Sequence, residues 1–369
     1  MTTLLAHEWL APIGGSENVF ESLSSTLPGS RRVCLWNDAP HRFGPDIEQT
    51  WLSRSPLRRS KAMAYPFLAS AWKRIDLTGV ERVVVSSHAS SHYLASRAAD
   101  AGIPSFAYVH TPPRYVWAPE FDERGQSLPA RAGRAVFKNW DRGHTSENVS
   151  FAANSQFVRQ RMQDAWGVDA RVIYPPVDVE GIQGVGDWRA EITDEAERRK
   201  LEALPERFVL GASRLVEYKR LDAVIDVGEE LGLPVVIAGS GPFEDRLREI
   251  AKKRKVPVTF LGYVSTPGLY ALYQAASLFV FMAIEDFGIM PVEAMALGTP
   301  VVVSEIGGAR ESVEAVGGGI VIQPSAEGIG QVVSWFQDAS LDSSAVASRT
   351  LAFSRASFAT AVETWLEGK

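Results

Sequence analysis

Short, almost purely apolar runs alternate with longer amphipathic stretches from one end of the chain to the other. In the first half these runs predict strands over 3–6, 32–36, 82–86, 105–110, 149–153 and 172–174. In the second half they predict strands over 208–212, 235–238, 258–261, 278–282, 301–304 and 319–322. Val83-Val84-Val85 and Val301-Val302-Val303 show no polar alternation, as expected of strands buried on both faces. Helical stretches such as 221–231 and 242–253 lie between the runs. Strand and helix in alternation predict parallel sheets.

The pattern divides at Tyr174-Pro175-Pro176-Val177-Asp178, where two prolines end a strand and stiffen the link. The expected architecture is α/β, with a doubly wound domain over 1–175 and a second over 176–353. Residues 187–206 are highly charged and predict an exposed helix opening the second domain. The segment 354–369 reads as a helix carrying Phe358 and Trp365. Charge separates the halves too. Residues 1–177 hold 20 Lys and Arg against 16 Asp and Glu, net +4, and the remainder is net −10. Two units with different partners are expected.

At 46% hydrophobic and 22% charged, the composition is that of a folded globular chain. No apolar run is long enough to cross a membrane, and the first residues do not read as a signal peptide. The single cysteine, Cys34, cannot form an internal disulfide and excludes a Cys-based metal site. The expected location is cytoplasmic.

Ligands in open α/β sheets bind beyond the carboxyl ends of the strands, so residues there come first. Gly14-Gly15-Ser16-Glu17 follows the first strand and lets backbone N–H groups approach an anion, or merely makes a tight turn. Arg214 and Lys219 follow the strand at 208–212 and can converge on one diphosphate. Glu285-Asp286-Phe287-Gly288-Ile289-Met290-Pro291-Val292-Glu293 follows the strand at 278–282. Gly288 frees the backbone, Pro291 suits a first helical turn, and Glu285 and Glu293 can accept from sugar or ribose hydroxyls. Gly239-Ser240-Gly241 and Gly307-Gly308 form further glycine-rich turns. GxGxxG spacing and a Walker loop are both missing, which disfavours a dehydrogenase or an ATPase. His110 ends a strand, and His7 sits after the first one. His88 and His92 are four apart without an HExxH pattern, which disfavours zinc. Residues 54–75 carry six cations and no acid among Leu57, Tyr65, Phe67, Leu68 and Trp72. That stretch suits an anionic membrane or a solvated face. No nucleic-acid motif is present.

Together these pieces resemble the retaining glycosyltransferases of family four, which have the GT-B fold of two Rossmann-like domains facing a central cleft. The Glu285-x7-Glu293 element carries most of the resemblance, followed by Ala-Met-Ala-Leu-Gly-Thr-Pro-Val-Val. His7-Glu8-Trp9-Leu10 and His110-Thr111-Pro112-Pro113-Arg114-Tyr115 look most like bacterial GDP-mannose-dependent mannosyltransferases of surface-polysaccharide assembly. The resemblance implies that Arg214 and Lys219 bind the donor diphosphate. It gives Glu285 the donor-sugar hydroxyls and Glu293 the ribose. Gly14, Gly15, Phe287, Gly288 and Ile289 would line phosphate and sugar, and Gly262 and Val264 would meet the base. His110 would stand by the transferring sugar, and the terminal helix would return to the first domain. Asp286 departs from the Gly of many relatives and leaves donor identity open.

The implied reaction moves a sugar, mannose by this likeness, to a glycan or lipid-linked acceptor. No metal or other cofactor is expected. Alternatives are a UDP- or dTDP-sugar donor, a sugar-nucleotide epimerase or hydrolase, and a non-catalytic nucleotide-binding regulator.

Overall fold

The computed structural model describes residues 2–118, 128–338 and 341–368. The chain divides into two compact units. Unit 1 comprises Met1–Pro176 with Phe358–Lys369, and unit 2 comprises Val177–Ser357.

Unit 1 is built on seven parallel strands: β1 (Thr3–Leu10), β2 (Arg31–Asn37), β3 (Glu48–Gln49), β4 (Arg82–Ser87), β5 (Ser105–Val109), β6 (Ser150–Ala153) and β7 (Arg171–Val172). Their order is β3-β2-β1-β4-β5-β6-β7, reversing direction between β1 and β4. Alternate residues enter two cores. Leu4, Ala6, Val83 and Val85 join Trp36 and Trp72 on one face. Leu5, Val84 and Tyr108 join Phe20 on the other. Both faces are covered, so the strands carry no polar alternation.

Two sequence expectations need correction, and one strand gave no signal. β1 runs on to Leu10, because Trp9 and Leu10 still pair with Trp36 and Asn37 of β2. His7 therefore lies within the strand, not after it. The last strand stops at Val172, short of the two prolines. β3 is only two residues of an edge strand, and its exposed Glu and Gln gave no apolar signal.

The helix Arg355–Leu366 buries Phe358, Val362 and Trp365 in the unit 1 core. Trp365 donates its indole N–H to Ser150 Oγ at 2.9 Å, and Phe358 meets Tyr108 edge-on at 5.7 Å.

Unit 2 repeats the plan with six parallel strands: β8 (Val209–Ala212), β9 (Val235–Ala238), β10 (Val258–Gly262), β11 (Leu278–Phe281), β12 (Val301–Ser304) and β13 (Gly319–Ile322). Their order is β10-β9-β8-β11-β12-β13, reversing between β8 and β11. The expected helix over 187–206 shrinks to Glu195–Glu202, where Asp194 caps the amides of Ala196 and Glu197. The turns before it are tied down by buried Ile192 and by Trp188, which donates to the Ile182 carbonyl at 3.0 Å.

Candidate functional site

Each unit gathers its chemistry where its strand order reverses, at the carboxyl edge. In unit 2 the turn after β8 carries Arg214, which is exposed, and Lys219. Arg220 closes that turn in the left-handed region (φ 53°) and starts the helix Leu221–Leu231. The loop after β11 carries Glu285. The Lys219 ammonium and the Glu285 carboxylate form an ion pair with little exposure. Sequence reasoning aimed Lys219 at a phosphate and Glu285 at a sugar. In the ligand-free chain each is the other's partner.

Gly288 then caps the helix Ile289–Ala296 with φ 87°, a conformation that favours glycine. The amides of its first turn face the sheet edge, with Pro291 in that turn. Phe287 does not face outward. It is buried, with its ring tilted against Phe353 at 5.6 Å, so its side chain anchors the loop.

The two glycine-rich turns have a packing role. A Cβ on Gly239 would lie 1.9 Å from the Ser213 carbonyl oxygen, and one on Gly241 would lie 2.3 Å from that of Leu215. A Cβ on Gly308 would lie 2.1 Å from the Asp286 carbonyl oxygen. The first turn therefore backs the Arg214 loop and the second backs the Glu285 loop.

A hollow of about 280 Å³ opens beside Arg214. Ser240, Tyr263, Val264, Leu269 and Met290 also line it. Gly262, at its edge, takes φ 73° with open space around it. Of the lining residues the sequence singled out Arg214 and Val264 for the donor, and Gly239, Ser240 and Met290 as parts of turns on this edge. Tyr263 stands exposed there, an unusual place for a large ring. Glu293, one helical turn below the loop, accepts from the Tyr270 hydroxyl at 3.4 Å. Burial pushes its carboxyl up to about 7, against the pull of that hydroxyl.

In unit 1 the same reversal gathers imidazoles. His7 and Glu8 come from β1, His88 follows β4, and His110 follows β5. Parity along β1 sends Glu8 toward the helix His92–Asp100 and His7 toward Phe20, 5.4 Å away. Glu8 Oε1 accepts from the amides of His88, Ala89, Ser90 and Ser91 at 2.8–3.2 Å, and from Ser87 Oγ. Burial opposes the charge of Glu8, but facing His88, His7 and the Ser91 amide hold its carboxyl well below the usual range.

His7 Nδ1 stands 3.1 Å from the Ser86 carbonyl oxygen and 3.1 Å from its Oγ. A carbonyl only accepts, so Nδ1 carries the hydrogen. Ser86 Oγ lies 2.8 Å from His110 Nε2 and shares a hydrogen bond with it. Burial keeps His7 neutral, its pKa lowered to about 4, and holds His110 well below its usual value as well. His110 Nδ1 has no hydrogen-bond partner among the described residues.

His7, Glu8 and His88 bring one potential metal-ligand atom each within 4.8 Å of one another. Of these atoms His7 Nδ1 is already engaged by Ser86, and it is the His7 nitrogen recorded near Glu8, at 3.9 Å. His7 Nε2, Glu8 Oε2 and His88 Nδ1 are buried and have no hydrogen-bond partner among the described residues. Sequence reasoning noted His7 and His110, set His88 aside for its spacing to His92, and did not single out Glu8. The signal available was position: His88, like His110, directly follows an apolar strand.

Gly14 and Gly15 lie on the same sheet edge, at the start of the helix Gly15–Thr26. The expected opening for an anion is partly taken by the chain's own carboxylate. Glu17 folds back to accept from the Ala11 amide at 3.2 Å and from Ser16 Oγ at 2.8 Å, beside Gly14.

Comparison with known proteins agrees with this division. Residues 13–180 match the family Glycosyltransferase Family 4, and residues 193–340 match Glycosyl transferases group 1. The two matched stretches follow the division of the chain, in that order, and the fold is GT-B. It is 33% identical over 196 residues to a GDP-mannose-dependent alpha-(1-6)-phosphatidylinositol monomannoside mannosyltransferase of Mycobacterium tuberculosis, covering 49% of each chain. It is 32% identical to O-antigen chain mannosyltransferase C of Escherichia coli over 34% of this chain and 32% of that one. The chain thus spans between about a third and a half of these curated relatives. Among solved structures, HepE of Anabaena in complex with UDP superposes with a TM-score of 0.69 at 18% identity, covering 100% of both chains. That likeness concerns the fold alone.

Proposed function

We propose that this chain is a retaining hexosyltransferase. It moves a sugar from a nucleoside-diphosphate donor to a glycan or lipid-linked acceptor without a metal or other cofactor. The observation that carries this reading is the unit 2 edge: a cation beside a hollow, an ion pair that a diphosphate and a sugar can open, and a helix N-terminus facing them. Arg214 and Lys219 bind the diphosphate. The amides at Gly288 and Ile289 add donors, and Glu285, released from Lys219, takes sugar hydroxyls. Negative charge grows on the departing phosphate, where fixed cations and N–H groups stabilise it most. No carboxylate is placed as a nucleophile, so attack comes on the same face, and the departing phosphate's charge steadies the cationic sugar. Gly262 and Val264 meet the base, and Glu293 accepts from the ribose. In unit 1 His110 offers Nδ1 to a sugar hydroxyl.

The proposed donor is GDP-mannose, supported by the printed activities of the mannosyltransferase relatives. A UDP-sugar is the second reading, favoured by the UDP bound in the HepE structure.

Among the described residues no helix is long and apolar enough to cross a membrane. A lipid-linked acceptor can instead be met at the surface. Over 54–75, Tyr65, Leu68 and Trp72 turn into the core, while Met63 and Phe67 stay exposed beside Arg54, Arg59 and Lys73. Arg58 is engaged by Asp38, and Lys61 covers the Trp9 ring at 4.1 Å. The proposed anionic-membrane contact therefore rests on two apolar side chains and the remaining cations. The proposed location is cytoplasmic, with peripheral contact at the membrane face.

The test is calorimetric titration with GDP, UDP, dTDP and ADP, repeated on Arg214→Ala. Selective GDP binding that the variant loses supports the mannosyl donor. Selective UDP or dTDP binding overturns the donor alone, and binding of none overturns the transferase reading.

A further inference from the structure

We infer that Glu197 is a positioning residue for the donor: its carboxylate braces the turn over 262–265 and so sets the Tyr263 ring beside the unit 2 hollow, where it stacks on the base of a nucleoside diphosphate. The inference rests on the nucleotide reading of that edge and adds two residues to it.

Glu197 comes from the charged stretch that opens unit 2. On the helix Glu195–Glu202, Glu195 and Arg199 pair with each other at 3.1 Å, both exposed. Glu197 is half-buried and reaches a different element. Its Oε1 accepts from the Ser265 amide at 2.7 Å. Ser265 opens the ten-residue helix Thr266–Ala275, and its own Oγ accepts from the Gly268 amide at 3.1 Å. The carboxylate thus stands at the positive end of that helix. Gly268 makes room for it, since a Cβ there would lie 2.2 Å from Glu197 Oε1. A charge-assisted bond to a backbone amide, in space that a glycine leaves clear, fixes the chain more firmly than an exposed ion pair does.

What it fixes is the turn between β10 and that helix. At the other end of the turn, Gly262 still pairs with Ala238 of β9, and its carbonyl accepts from the Gly239 amide at 2.7 Å. The ladder shifts register between Phe260 and Gly262, and Gly262 takes φ 73°. Tyr263 and Val264 are therefore carried by a turn anchored on both sides. Tyr263 leaves the sheet there and is 82% exposed, while lining the hollow.

Shape and polarity choose the occupant. Val264, Leu269 and Met290 give the hollow apolar walls, Ser240 adds a hydroxyl, and Arg214 stands at the same place. A flat heterocycle with apolar faces and polar edges, joined to a diphosphate, matches both parts. Stacking serves any base, because every base has a π face. Tyr263 therefore supplies affinity common to all bases, and the braced backbone of the turn meets the base edge. Arg214 and Lys219 follow β8, on another loop, so Glu197 bears on the base and not on the diphosphate.

That separation is open to measurement. Calorimetric affinities for GDP, UDP, dTDP and pyrophosphate are compared on the full chain and on Glu197→Ala, Glu197→Gln, Tyr263→Ala and the double alanine variant. Glu197→Ala should weaken the tightest-bound nucleotide by about tenfold and leave pyrophosphate unchanged. Glu197→Gln keeps an amide oxygen that can accept from Ser265, and it should recover most of that loss. Tyr263→Ala should also cost about tenfold. The double variant should lose clearly less than the product of the two, because one residue acts through the other.

Nucleotide affinity unchanged in Glu197→Ala, or losses that multiply in the double variant, overturns the positioning role and leaves the nucleotide site standing. Equal weakening of nucleotide and pyrophosphate also overturns it, because the substitution then disturbs unit 2 at large. Tyr263→Ala without effect overturns the stacking. A wild type that binds pyrophosphate as well as any nucleotide overturns the base hollow, and one that binds none of the four takes the transferase reading down with it.

Discussion

The two sheets share one strand order, yet the points where that order reverses are furnished in opposite ways. In unit 2 the point between β8 and β11 is basic and open. Arg214 is exposed, Lys219 and Glu285 are held by each other, and a hollow stands alongside. In unit 1 the point between β1 and β4 is mostly buried, with imidazoles and one carboxylate set among serine hydroxyls and backbone amides. Even the small residues differ. Unit 2 uses glycines whose missing Cβ lets one loop back another, while unit 1 uses Ser86, Ser87, Ser90 and Ser91 around a buried Glu. A phosphate needs charge that can be released to it, whereas a sugar hydroxyl needs a donor or acceptor that is already oriented. The same backbone frame supports both because the chemistry lies in the residues after each strand.

The contrast breaks most violently at Asp141, which is fully buried in unit 1. It accepts from Tyr93 OH at 2.8 Å, Trp117 Nε1 at 2.7 Å and Trp166 Nε1 at 2.6 Å, with His92 Nε2 at 3.4 Å. Asp141→Ala leaves those donors without an acceptor and should lower stability by about 3–5 kcal/mol in urea unfolding. A loss below about 1 kcal/mol would show that water replaces the carboxylate and that unit 1 is less rigid than its bonding implies.

Unit 2 should respond in function rather than in stability. Glu285→Gln removes the partner of Lys219 and the acceptor for sugar hydroxyls. Sugar transfer should fall by about 10²–10³-fold, with binding of the free nucleoside diphosphate retained or tightened because Lys219 is released. Equal loss of nucleotide affinity would mean that the ion pair holds the loop and does not open.

Gly308→Ala probes the backing of that loop. The added Cβ meets the Asp286 carbonyl oxygen at 2.1 Å, so the Glu285 loop must shift. Turnover should drop by about tenfold, with a stability cost of about 1–3 kcal/mol. Gly330→Ala, which meets nothing within 4 Å, is the control. Matching turnover in the two variants would remove the glycine turn from the site.

These contrasts also mark what the sequence could disclose. Both sheets were legible because strands buried on both faces leave continuous apolar runs, as at Val83–85 and Val301–303. The short edge strand β3 was not, since an exposed Glu-Gln pair has no apolar face to display. At the unit 2 edge, Arg214, Lys219, Glu285 and Glu293 were named from their places after strands. The pairing of Lys219 with Glu285 depends on residues 66 positions apart and has no local signal. The burial of Phe287 beside Phe353 is likewise a long-range fact. In unit 1, spacing to His92 drew attention away from His88, whose neighbour Glu8 lies on another strand.

The finest test concerns Glu293, a unit 2 carboxyl that burial raises above its ordinary value. Burial holds its folded pKa at about 7, above the 4.5 of a free Glu side chain. Between those values the folded chain holds a proton that the unfolded chain has lost. Stability therefore falls as pH rises through that window, by up to about 3 kcal/mol, and the fall is complete above the folded pKa. Glu293→Gln should flatten this slope and raise stability at pH 8 by about 1–3 kcal/mol. Ribose hydroxyls donating to Glu293 would favour its ionised form, so nucleotide binding near pH 6 should release protons. Calorimetry in phosphate and in Tris should then give different heats for the wild type and equal heats for Glu293→Gln. A slope that survives in the variant would assign the buried titration elsewhere, and equal heats in the wild type would remove the ribose from Glu293.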